Sequence, residues 1–150
     1  MFKLSERSIN NLVDVDHCLQ TIVHHAITIT VIDFGVTEGL RSVETQRKYF
    51  ESGASQTMNS KHLTGDAVDL IAYVEGRYTW KSVWYDEMAD AMCTAAREHG
   101  KGLRWGGAWH IPDITKYCGT MEEATQEYIT LRVSQGRKPF LDYPHYENIS

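Results

Sequence analysis

Between Ser5 and Ile29 the apolar positions Leu12, Val15, Leu19, Ile22, Val23 and Ala26 recur at helical spacing, which places them on one stripe of an amphipathic helix. A single helix from Ser5 to Ile29, its stripe covering a sheet, is the prediction. The period then changes. Ile32 to Thr37 reads as a strand, Val43 to Ser52 as a short helix, and Gly53 to Ser60 as a polar loop. Ala67 to Tyr73 has the apolar, β-branched character of a buried strand, with Ala67, Asp69 and Ile71 on one side and Val68, Leu70 and Ala72 on the other. Glu75-Gly76 then suggests a hairpin turn.

Val83 to His99, carrying Met88, Ala91, Met92, Ala95 and Ala96, reads as a second core helix ended by Gly100. Thr120 and Glu123 have the pattern of a capping box, from which Met121, Ala124, Tyr128 and Leu131 extend a further amphipathic helix toward Gly136. The organisation is α+β, a small antiparallel sheet packed against helices. No repeat, low-complexity tract or linker marks a second domain, so residues 1–150 are expected to form one.

Composition is consistent with this picture. At 150 residues, 42% hydrophobic and 23% charged, the chain is sized for one globular domain with a real core. No apolar run approaches the roughly 18 to 20 residues of a membrane span, and Met1 to Asn11 lacks the basic start and apolar stretch of a secretory signal. Synthesis as a soluble cytosolic chain, without integral membrane association and as a monomer, is expected. Cys18, Cys93 and Cys118 are odd in number and irregularly spaced, which favours reduced thiols over a disulfide framework or a four-cysteine zinc site. A formal net charge of -5 without a basic cluster argues against a nucleic-acid partner.

The chemistry concentrates in two segments, Ser60-Lys61-His62-Leu63-Thr64-Gly65-Asp66-Ala67-Val68-Asp69 and Asp142-Tyr143-Pro144-His145. Gly65 lets the backbone turn sharply after His62, so that Asp69 on the following strand can face back toward it. His62, Asp69 and His145 could together bind a divalent metal, and three protein ligands leave a fourth tetrahedral position open. Asp142, three residues before the last histidine, could then serve as proton acceptor for water, a role typically worth about 10²- to 10⁴-fold. Residues three apart on an extended strand point to opposite faces, so Asp142 and His145 can share a site only if the Tyr143-Pro144 step is bent.

Ser-x-His-x-x-Gly-x-Ala-x-Asp followed by Asp-x-x-His resembles the zinc peptidases that include D-alanyl-D-alanine carboxypeptidases and dipeptidases and the phage L-alanyl-D-glutamate endolysins, which share the hedgehog/DD-peptidase fold. Glu38-Gly39-Leu40-Arg41-Ser42 with Gln46 is similar to that family's Gly-x-Arg-Ser segment, and Leu103-Arg104-Trp105-Gly106-Gly107-Ala108-Trp109 to its aromatic-glycine loop. The four blocks occur in the family's order and cover about half the chain.

The resemblance implies Zn2+ held by His62, Asp69 and His145, with Asp142 as general base. It matches Arg41 to an arginine that holds substrate or stabilises the oxyanion, a role suited to its permanent charge and fixed fork of donors. Where family members trim D-Ala-D-Ala the base is usually Glu; Asp142 is Asp, as in the L-alanyl-D-glutamate endolysins. The implied function is therefore hydrolysis of the L-alanyl-D-glutamate bond in peptidoglycan stem peptides by a phage endolysin. Such an enzyme waits in the host cytoplasm until membrane permeabilisation admits it to the wall. The rivals are a D-alanyl-D-alanine carboxypeptidase or dipeptidase on the same scaffold, and a non-catalytic zinc-stabilised binding module. The chain's net charge gives no help toward an anionic wall, so recognition must be local.

Other residues leave two readings open. Ser60 can bond backbone or substrate, Trp105 and Trp109 can line a groove or fill the core, and Glu147 can support His145 or be solvated. His24 and His25 diverge by about 100° on a helix, and with His17, His99 and His110 they show no ligand pattern. Trp109-His110-Ile111-Pro112 and the stretch that follows match nothing in the family pattern.

Overall fold

In the computed structural model, which describes residues 1–149, helices pack on a five-stranded antiparallel sheet. The helices are α1 (Glu6–Leu12), α2 (His17–Ile29), α3 (Val43–Ser52), α4 (Ser82–Glu98) and α5 (Met121–Ser134). The strands are β1 (Asp33–Glu38), β2 (Ala67–Val74), β3 (Arg77–Thr79), β4 (Arg104–Trp105) and β5 (His145–Glu147), ordered β1-β2-β5-β4 with β3 paired to β2. The expected α+β class with a small antiparallel sheet is what forms. Among the described residues no helix is long and apolar enough to cross a membrane.

The single helix expected from Ser5 to Ile29 is two. The chain leaves α1 after Leu12 and restarts at Asp16, whose carboxylate accepts from the amides of Cys18 and Leu19 at 3.0 and 3.3 Å. Such a cap is worth about 1 kcal/mol. A distant segment reinforces the break: the Asp16 amide donates to the Gly65 carbonyl at 2.9 Å. A β-carbon on Gly65, whose φ is +75°, would meet the Asp14 carbonyl oxygen at 2.6 Å. The turn that carries His62 is thereby docked against the helical layer.

Alternation along β2 divides its two faces. Val68, Leu70 and Ala72 join the core with Phe34 and Val36 of β1, the α2 stripe, and Met88, Met92 and Ala96 of α4. Asp69 lies on the other face. The hairpin falls where Glu75-Gly76 predicts it, both residues taking positive φ (52° and 78°), as a tight two-residue turn requires. α5 opens with the expected capping box, and Met121, Ala124 and Tyr128 are buried while Leu131 stays exposed.

Two registers matter for the site. Asp69 pairs with His145 across β2 and β5, and an irregularity between Val36 and Glu38 brings Glu38 opposite Asp69. A bulge of this kind re-aims side chains at the edge of a site.

Candidate active site

His62 sits in a 3-10 turn, Lys61–Thr64, that Ser60 caps by accepting from the His62 amide at 3.2 Å. The Nδ1 of His62 lies 2.7 Å from the Gly39 carbonyl oxygen. A carbonyl can only accept, so Nδ1 carries the proton and Nε2 presents its lone pair inward. On β5 the order is reversed. His145 Nε2 lies 2.8 Å from Glu147 Oε1; it donates to that carboxylate and leaves Nδ1 facing the site.

Between the two imidazoles stands Asp69, with Oδ1 3.2 Å from His62 Nε2 and 3.4 Å from His145 Nδ1. One donor atom from each of the three residues falls within 4.8 Å of the others. Donors bonded at about 2.0–2.2 Å to a tetrahedral ion lie about 3.4 Å apart, so the set fits one divalent metal in size, and two neutral nitrogens with one carboxylate fit it in chemistry. Burial opposes the charge of Asp69, yet the imidazoles of His145 and His62 beside it hold its carboxyl well below the usual range. Burial likewise works against protonation of His145, and Asp69 and Glu147 together push its pKa up to about 9.

Asp142 lines the same cleft, a cavity of about 630 Å³. The bend needed at Tyr143-Pro144 is present: the His145 amide donates to the Asp142 carbonyl at 3.0 Å, and the Asp142 amide to Gly106 at 2.9 Å. Burial raises the pKa of Asp142, the charge of Asp69 raises it further, and His145, His62 and Arg41 oppose that rise.

Arg41 is buried and built into the wall. Its Nε and Nη2 grip Glu38 at 2.6 and 2.8 Å, Nη1 donates to Gln46 at 2.6 Å, and Nη2 stands 3.5 Å from Asp69 Oδ2. The guanidinium lies over the Tyr49 ring at 4.6 Å. Its backbone amide donates to the His62 carbonyl at 2.8 Å, so the arginine loop and the histidine turn are one unit.

The readings left open now divide. Trp109 lines the cleft, its ring centroid 5.4 Å from that of His145. Trp105 does not, and its candidacy as a substrate contact is corrected: it is wholly buried, stacks on Tyr146 and donates its indole N–H to the Tyr143 carbonyl at 2.8 Å. As the inward residue of an edge strand it is core, and it supports the bend from behind. Ser60 lines the cleft, its hydroxyl engaged by the His62 amide. Glu147 is buried on His145, with Lys61 Nζ 3.6 Å from its other oxygen. Sequence reasoning gave no site role to Glu38, Arg104 or Arg132, which also line the cleft. A partner for Arg41 three residues upstream was a findable signal for Glu38; nothing local marks the two arginines.

An antiparallel sheet and the turn before its central strand, offering two imidazoles and a carboxylate at an open cleft beside a separate carboxylate, form the layout of a metal-dependent hydrolase. The family model for phage L-alanyl-D-glutamate peptidase matches residues 1–126, and the chain belongs to that family. It is 30% identical over 115 residues to the L-alanyl-D-glutamate peptidase of Escherichia phage T5, covering 73% of this chain and 82% of that one. A Listeria phage L-alanyl-D-glutamate peptidase is 33% identical over 78 residues, 52% of this chain and 27% of the relative. Among solved structures, the Serratia marcescens L-Ala D-Glu endopeptidase ChiX superposes with a TM-score of 0.74 at 32% identity, covering 97% of this chain and 90% of that one.

Proposed function

We propose that this chain is a zinc-dependent endolysin that hydrolyses the L-alanyl-D-glutamate bond of peptidoglycan stem peptides. The observation that carries the reading is the convergence of His62 Nε2, Asp69 Oδ1 and His145 Nδ1 in the cleft that Asp142 lines. These three residues would hold zinc, with Glu147 and the Gly39 carbonyl orienting the two rings from outside. Zinc, when bound, supplies Lewis acidity that polarises a carbonyl and lowers the pKa of water from about 15.7 to about 7.

Asp142 takes the proton from the attacking water and returns it to the leaving amine. Arg41, pinned by Glu38 and Gln46, contributes a fixed positive charge for the developing oxyanion, and its rigidity spares reorganisation during the reaction.

The experiment is a digest of purified peptidoglycan with and without chelator, read by mass spectrometry. Fragments that begin at D-glutamate, and that vanish with chelator until zinc is restored, are expected. Release of terminal D-alanine alone would overturn the assignment of the bond.

A further inference from the structure

Four cationic side chains line the cleft: Arg41, Lys61, Arg104 and Arg132. Arg41 is committed to Glu38 and Gln46, and Lys61 to Glu147 and the Asn148 carbonyl. The other two differ. Among the described residues neither Arg104 nor Arg132 forms an ion pair within 4.0 Å. Arg104 does face Glu147 across β4 and β5, and its charge helps hold that carboxyl down. Each of the two arginines has a buried Nε without an acceptor. In a guanidinium that lines a cleft, such a group leaves a donor for an acceptor that a ligand can supply.

Both guanidiniums rest on aromatic rings, Arg104 over Trp109 at 5.1 Å and Arg132 over Tyr128 at 5.9 Å. Arg104 is oriented further by its Nη2, which donates to the Trp109 carbonyl at 2.7 Å. The Tyr128 hydroxyl in turn meets both the amide and the carbonyl of Phe140 at 3.2 Å, tying α5 to the segment that leads to Asp142. The arginines are thus held against apolar rings, where a charge-assisted hydrogen bond is stronger than in open water.

The substrate supplies a matching group. Glutamate has two carboxyl groups, and only one can continue a peptide chain, so the residue that follows the scissile bond keeps a carboxylate close to the reacting centre. We propose that Arg104 and Arg132 form the subsite that binds this carboxylate, and that they make the enzyme selective for D-glutamate over its amide. A planar fork of donors is the side chain best suited to a carboxylate. The subsite rests on the peptidase reading of the cleft. It also gives a role to α5, whose Arg132 lies beyond the 1–126 stretch matched by the family model.

The test uses zinc-loaded enzyme and two synthetic stem peptides that differ only in whether this group is a carboxylate or a carboxamide. Wild type is expected to favour the carboxylate peptide in kcat/KM by about 10- to 100-fold, chiefly through KM. Arg132→Gln and Arg104→Gln should each draw that ratio toward one, and Arg132→Lys, which keeps the charge, should retain part of it. Calorimetry with the product peptide that begins at D-glutamate should show the same ranking of affinities without turnover. A preference that survives intact in both glutamine variants, or its absence from wild type, overturns the subsite while leaving the peptidase assignment standing. A wild type that cuts neither peptide between alanine and glutamate overturns the peptidase assignment itself.

Discussion

Gly106 lies so close to Asp142 that a β-carbon on it would sit 2.1 Å from the Asp142 carbonyl oxygen. The two backbones also exchange a hydrogen bond, with the Asp142 amide donating to the Gly106 carbonyl at 2.9 Å. The position of Asp142, the proposed proton-transfer group, is therefore set by an absent side chain at the exit of β4. Gly106→Ala should push Asp142 out of place while Asp69 on β2 and His62 in its turn stay put; His145, whose carbonyl accepts from the Gly106 amide at 2.9 Å, is the one proposed ligand that can move with it. A displacement of about 1 Å can cost about 10²-fold. Steady-state kinetics should show kcat falling at least on that scale, and zinc content by elemental analysis reports whether His145 shifts along with Asp142.

The roles proposed for Asp142 in proton transfer and for His145 in holding the metal separate by substitution. Asp142→Asn removes the basic oxygen and keeps the shape, so it should retain zinc and lose about 10²- to 10⁴-fold in turnover. His145→Ala should lose the metal as well, because a ligand is gone. Parallel zinc analysis and peptide-cleavage assays distinguish the two. An Asp142→Asn variant with near wild-type turnover would exclude the residue from the chemistry.

Glu147 acts through His145. It accepts from Nε2 at 2.8 Å, which fixes the tautomer that leaves Nδ1 directed at the site. Glu147→Ala should weaken zinc binding by about 10- to 100-fold, the usual cost of losing such an orienting partner. Competition against a calibrated chelator measures it.

On α4, outside the cleft lining, burial pushes the Asp86 carboxyl up to about 7, and the neighbouring charges of Glu122, Asp90 and Glu87 add to the rise. A carboxyl raised on folding penalises the folded state above its folded pKa, and the penalty fades as pH falls toward the unfolded value near 4. Asp86→Asn should therefore raise Tm at pH 8, with the advantage shrinking through pH 6 and lost near pH 4. Thermal melts of both proteins across that range provide the check; a Tm difference that does not change with pH would contradict this account.

Much of the local structure was legible because it depends on neighbours in sequence. Ser42 to Gly53 shows its helix and both ends, Glu75-Gly76 its turn, and Thr120 with Glu123 its cap. The break at Asp16 was harder to see, because the apolar stripe runs on past it and the deciding contact comes from Gly65. Trp105 was ambiguous for a different reason: a tryptophan in a glycine-rich stretch looks the same whether it faces the core or a groove.

From the order of residues alone came the chemistry and its local hinges: a turn after His62 permitted by Gly65, alternation that separates Asp69 from the core face of its strand, and the need for a bend before His145. These follow from backbone dihedrals and the two-residue period of a strand, which are properties of short segments. Only the folded chain decided that Asp69 lies across from His145, that a bulge brings Glu38 opposite Asp69, and that Arg132 at the end of α5 reaches the same cleft. Those relations depend on register and packing between segments dozens of residues apart, where no local periodicity records which partner is met.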